Sequence, residues 1–208
     1  MRPPRVTVVV PVHNAGAFLV PALDSALAQT FTDFEVVVVD DASSDGSDEV
    51  ARRYAMAHPD RFTAICLTEN VGVARARDLA IRRSRGGELI ALLDHDDRWR
   101  EDYLEHTVAC LDRERAAGRR VGIVACNALL EQDGRIIDTF AERYGWTEHI
   151  DVDAMIQRNC ILARAVFCRE GYDAVGGFAA ECLASDDYDL WFRLLEAGWE
   201  VATTRETV

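Results

Sequence analysis

An α/β fold with a mostly parallel central sheet is predicted for this 208-residue chain by three features. Up to about residue 98, β-branched runs alternate with segments of helical periodicity. The runs are continuously apolar rather than alternating, as expected of strands covered on both faces by helices. They also end in polar loops, His13-Asn14, Asp40-Asp41 and Asp94-His-Asp-Asp97, which such a sheet gathers along one edge, where open α/β folds bind ligands.

The elements follow in order. Val6 to Val12 reads as a strand closed by Pro11-Val-His-Asn14, after which Leu19, Leu23, Ala26 and Leu27 recur at helical spacing. Phe34 to Val39 is a second strand, followed by the turn-forming run Ala42 to Ser47 and a helix carrying Val50 and Tyr54. Arg61 to Leu67 gives a third strand and Val73 to Ser84 a helix. Gly86-Gly87 breaks the chain before a fourth strand, Glu88 to Leu93.

Past Arg98 the rhythm changes. A helix from Glu101 to Ala117 precedes Val121 to Leu130, a Gln-Asp-Gly turn at 132–134 and Arg135 to Phe140, which together resemble an antiparallel hairpin. A further helix is predicted to start near Asp186. There Asp187, Leu190, Trp191 and Leu194 share one face, an acid on an otherwise apolar stripe, while Asp186 and Asp189 are expected only to cap. The plain alternative for Asp187 is the same first-turn role.

Composition excludes several classes. At 49% hydrophobic the chain can bury a core as one domain. Its 23 basic and 36 acidic residues leave a net charge of -13, which argues against nucleic acid or an anionic membrane as main partner. Six cysteines without a C-x-x-C pair point to small core residues rather than a zinc site or disulfide framework. With no signal-peptide pattern and no long apolar run, a cytoplasmic protein is expected, at most peripheral to a membrane, with no transmembrane segment.

The most informative stretch is Glu88 to Asp97, an apolar run ending in Asp94, Asp96 and Asp97. Crowded carboxylates repel one another unless a cation or hydrogen-bond donors offset them. Asp-x-Asp after a strand suits a magnesium- or manganese-diphosphate site, in which protein supplies one or two oxygen ligands and phosphate and water the rest. A solvated acidic turn is the alternative for the motif in isolation.

Seven segments in sequence resemble the family 2 glycosyltransferases, inverting enzymes of GT-A fold. They are Val8 to Asn14, Ser25 to Phe31, Val38 to Ser47, Asn70 to Arg77, Leu93 to Asp97, Gly176-Gly-Phe178 and Asp187 to Trp191, and they span residues 5 to about 200. The resemblance implies one GT-A domain over 1–208, with a nucleotide-sugar-binding half (1–98) and a mixed acceptor-binding half (99–208). It also implies a nucleotide-sugar donor, first of all a UDP-sugar, with Mn2+ or Mg2+ as cofactor. The acceptor would be a carbohydrate, a lipid-linked molecule or a small molecule.

Carried over by position, Pro11, His13 and Asn14 would line the nucleotide pocket, with Asp41 on the base and Arg77 beside base or phosphate. Asp94 would contact ribose and metal, Asp96 would be the direct metal ligand, and His95 would join the donor contact. Asp97 would orient these acids or cap the next helix. Asp187 matches the family's general base, and Gly176, Gly177 and Trp191 would meet the acceptor. The Gln-x-x-Arg-Trp pattern of processive synthases is missing, so single transfer is expected. The sequence ends at Thr203 to Val208, soon after the predicted base helix, where many relatives continue with a loop over the donor. A catalytically silent binding module of the same fold is the competing class. A nucleotidyltransferase would want a basic Gly-rich phosphate loop after the first strand, which Pro11 to Gly16 lacks.

Overall fold

Four parallel strands form one half of the central sheet in the computed structural model, which describes residues 2–182 and 185–207. These are β1 (Val6–Val12), β2 (Phe34–Asp40), β3 (Phe62–Cys66) and β4 (Leu89–Leu92), arranged β3-β2-β1-β4. The helices between them are α1 (Leu19–Leu27), α2 (Ser47–Ala57) and α3 (Val73–Arg83). The continuous apolar runs have their predicted cause, because every residue of β1, β2 and β4 is buried.

One buried polar group in this half is Glu35 on β2. It accepts the Thr7 hydroxyl at 3.0 Å and both the backbone N–H and the Nε–H of Arg85. The pairing anchors the Gly86-Gly87 bend against the start of β1. At Gly87 a Cβ would lie 2.8 Å from Thr7 Oγ1 and 2.9 Å from its backbone nitrogen, so only glycine passes there.

The second half is mixed, as expected, but its pairing differs from the sequence reading. After α4 (Tyr103–Ala116), the run from Val121 divides into β5 (Val121–Asn127) and β6 (Leu129–Gln132). The side-chain oxygen of Asn127 accepts the backbone N–H groups of Ala128 and Ala141, each at 2.9 Å, and this local capture ends the strand. Only β6 pairs with β7 (Arg135–Thr139) as a hairpin, whereas β5 joins the main sheet. Helices α5 (Phe140–Tyr144) and α6 (Val152–Gln157) follow. The short strand β8 (Val166–Cys168), α7 (Arg169–Ala174), α8 (Asp186–Glu196) and β9 (Glu200–Thr207) complete the chain.

Strand β8 lies antiparallel between β4 and β5, and β9 runs parallel to β5 at the edge, giving the order β3-β2-β1-β4-β8-β5-β9. The six cysteines are free, four of them buried. No helix among the described residues is long and apolar enough to cross a membrane.

Candidate active site

The carboxyl ends of β1, β2 and β4 open onto a cleft of about 380 Å³. Pro11, His13, Asp41, Arg77, Asp94, His95 and Asp96 line it, joined by Asn70, Gly72 and Val73 from the entry to α3. Asn14 supports this wall from behind. With φ at 51° it takes the left-handed conformation that asparagine tolerates. Its side chain donates to His13 Nε2 at 3.0 Å and accepts the Ser44 N–H at 2.9 Å.

Both cleft histidines have assignable protons. His13 Nδ1 faces the Asp41 carbonyl at 2.8 Å and His95 Nδ1 faces the Pro11 carbonyl at 3.2 Å. A carbonyl only accepts, so each ring carries its proton on Nδ1. Nε2 of His13 then receives the Asn14 amide, and Nε2 of His95 is the nitrogen left to accept.

Asp41 does more than sit at a strand end. It is 3% exposed, and its two oxygens accept the backbone N–H groups of Val71 at 2.7 Å and Gly72 at 2.9 Å. These bonds pin the turn that starts α3, where Gly72 has φ of 86°. The carboxylate thus holds one cleft wall to another, a task the sequence reading did not give it.

At the other wall, Arg77 of α3 is buried between two acids. Its guanidinium donates to Asp94 at 2.7 Å and to Asp186, the first residue of α8, at 2.9 Å. The Phe178 ring lies over it at 5.8 Å. Burial opposes the charge, but the two carboxylates outweigh burial and raise the Arg77 pKa. Asp186, expected to cap, is instead buried on the same face as Leu190 and Leu194. An acid at a helix start is usually a solvated cap, and nothing in the local sequence announces an arginine more than a hundred positions away.

Asp187 follows on the partly exposed margin of that face. Burial raises its pKa above the ordinary carboxylate range, opposed by the Tyr188 backbone N–H and by Arg77, and reinforced by Asp186 and Asp94. Trp191 corrects an expectation. It is fully buried, edge-on to Phe167 at 5.3 Å, so it seats α8 in the core and does not face an acceptor.

Gly176 and Gly177 adopt φ of 87° and 82°, so the turn needs glycine at both positions. Asp78, next to Arg77, accepts the Tyr172 hydroxyl and the Phe178 backbone N–H at 3.2 Å. Two successive residues of α3 therefore hold two separate parts of the second half, α8 through Arg77 and the glycine turn through Asp78.

The acidic loop presents Asp94 partly exposed, with one oxygen on Arg77, and Asp96 exposed to solvent. Asp97 folds inward, is paired with Arg164 at 3.2 Å, and has a pKa raised mainly by burial. Among the described residues no three His, Cys, Asp or Glu side chains form a group that could hold a metal ion unaided. Two carboxylates at the lip of a cleft nonetheless fit a hard divalent cation that takes its remaining oxygens from a diphosphate and water.

A family profile, glycosyl transferase family 2, matches residues 7–176. Chondroitin synthase of Escherichia coli is 29% identical over 198 residues, 95% of this chain but 27% of that protein. Glycosyltransferase AglE of Haloferax volcanii is 27% identical over 209 residues, 99% of this chain and 66% of that one. Among solved structures, a mannosyltransferase from Pyrobaculum calidifontis in complex with GDP-Man and Mn2+ is 30% identical. It superposes with a TM-score of 0.74 over 100% of this chain and 56% of its own. TarS 1-349 of S. aureus in complex with UDP, 18% identical, has a TM-score of 0.78 over 100% of this chain and 59% of its own, a likeness of fold. The chain shares the GT-A fold of these structural neighbours. The chain spans only part of each of these relatives.

Proposed function

We propose that this chain, which belongs to glycosyl transferase family 2, transfers a sugar from a nucleotide-diphosphate sugar to an acceptor hydroxyl in one inverting displacement. The observation that carries the reading is the position of Arg77, which ties Asp94 at the acidic lip to Asp186 beside Asp187. One side chain thereby links a donor-side acid to the helix turn that carries a candidate base.

In this reading the base and ribose lie along Pro11, His13, Asp41 and Asn70, with the diphosphate toward Asp94 and Asp96. Asp94 and Asp96 would hold Mn2+ or Mg2+, which when bound neutralises charge gathering on the departing diphosphate. Asp187 accepts the acceptor's hydroxyl proton. The acceptor oxygen forms its bond to the anomeric carbon from the face opposite the diphosphate as the bond from that carbon to the diphosphate oxygen breaks, so the configuration inverts. A pKa raised by burial makes Asp187 a stronger base than a solvated carboxylate.

UDP-sugars are the first candidates from the family resemblance. GDP-mannose is the second, because the mannosyltransferase that is 30% identical is complexed with GDP-Man. The acceptor is a carbohydrate, a lipid-linked molecule or a small molecule bearing a hydroxyl. A thermal-shift screen of UDP-, GDP- and dTDP-sugars with and without Mn2+ tests the donor, since a ligand bound only to the folded state raises apparent stability. Stabilisation by one nucleotide sugar, greater with Mn2+, supports the assignment. No shift with any of them removes it.

A further inference from the structure

We infer that Asp186 is a positioning residue that, through Arg77, couples occupation of the donor cleft to the helix turn carrying Asp187. The inference rests on the reading above of the cleft as donor site and Asp187 as base. It adds a role for a side chain that the reaction itself leaves unused.

The geometry is a chain of three charged groups. Asp94 lies at the cleft, Arg77 is 4% exposed, and Asp186 is 3% exposed at the first position of α8. The guanidinium divides its charge between the two acids at 2.7 Å and 2.9 Å, while its Nε is buried without a partner. Asp187 adds a third carboxylate that feels Arg77, Asp186 and Asp94. One buried cation thus holds two carboxylates, with a third beside them on the same helix turn.

Neutralising the Asp94 end changes that division. When a divalent cation takes up the Asp94 carboxylate, Arg77 is left to Asp186. The first turn of α8 is then held more firmly. That turn starts with the Asp189 N–H on the Ser185 carbonyl at 2.9 Å, so its amides report how often it opens. Placement of the base would then tighten with donor occupancy.

Hydrogen exchange read by mass spectrometry on the intact chain tests this, with UDP plus Mn2+ and GDP plus Mn2+ as probes and calorimetry confirming binding. In the wild type, the bound nucleotide should slow exchange in loop 94–98 and also in the first turns of α8. The α8 effect should be about 2- to 30-fold, the range that packed networks transmit. In Asp186→Asn the slowing at 94–98 should persist and that at α8 should vanish, while Asp186→Glu should restore it. An Asp186 with a purely structural role would loosen α8 equally with and without nucleotide, which would overturn the coupling. So would wild-type α8 exchange that ignores a bound nucleotide, a result that needs no variant to fold. Absence of both binding heat and protection at 94–98 would instead defeat the donor-site reading, and this inference with it.

Discussion

The carboxylate of Asp41 and the backbone N–H of Gly72 meet at 2.9 Å, with the neighbouring Val71 N–H on the other carboxylate oxygen. Asp41→Ala strands two N–H donors at a part-buried turn. A loss of about 2–4 kcal/mol is expected in urea unfolding, together with weaker nucleotide binding, because the turn forms a cleft wall. Unchanged stability would mean that the turn holds itself.

Asp187→Asn keeps the shape of the side chain and removes its basicity. Donor affinity should stay near wild type while turnover falls by about 10² or more. Wild-type turnover with a verified acceptor would move the role elsewhere on α8.

The raised pKa of Asp187 fixes the sign of two pH effects. Activity needs the carboxylate ionised, so the acid limb of kcat/KM should lie above the ordinary value of 3.8 and disappear in Asp187→Asn. For stability the direction reverses. A carboxyl whose folded pKa exceeds its unfolded value favours the folded state at low pH, and that contribution is lost as pH rises through the folded pKa. Asp187→Asn should therefore unfold at higher urea relative to wild type at neutral pH than at pH below 3.8.

Asp96→Ala should weaken Mn2+-dependent donor binding, because it removes the exposed carboxylate of the acidic lip and leaves Asp94 partly committed to Arg77. Calorimetric titration with and without a chelator measures this. Equal affinity in all four combinations would discard the metal assignment.

Away from the cleft, Gly122→Ala tests the packing of β5. Its Cβ would lie 2.9 Å from Trp199, whose ring carries Arg120 at 4.2 Å on its face. A cost of about 1–3 kcal/mol is expected from the crowding, read in urea with catalysis per folded molecule unchanged.

Where a local pattern has one meaning, the sequence was a sufficient guide. The strands β1, β2 and β4 and helices α1 to α3 were legible because continuous apolar runs and helical spacing leave few alternatives. Strand β8 was not, since three residues between Arg164-Ala165 and Arg169 carry no periodicity. The hairpin was misplaced because Val121 to Leu130 reads as one run until the Asn127 side chain interrupts it. At the site, the cleft residues were legible as loop ends of strands. The buried state of Asp186 was not, because it depends on a partner distant in sequence, Arg77.

The placement of β8 also bears on how the chain is made. The first four strands can pair as soon as they leave the ribosome, but β4 then has one edge unpaired until Val166–Cys168 arrives. At ~5–20 residues per second, that wait from Leu92 lasts about 4–15 s. During it the nascent chain carries an apolar strand edge of the kind that invites pairing with other chains. Slow codons or chaperone contacts between residues 93 and 165 would therefore act on yield rather than on the stability of the finished protein.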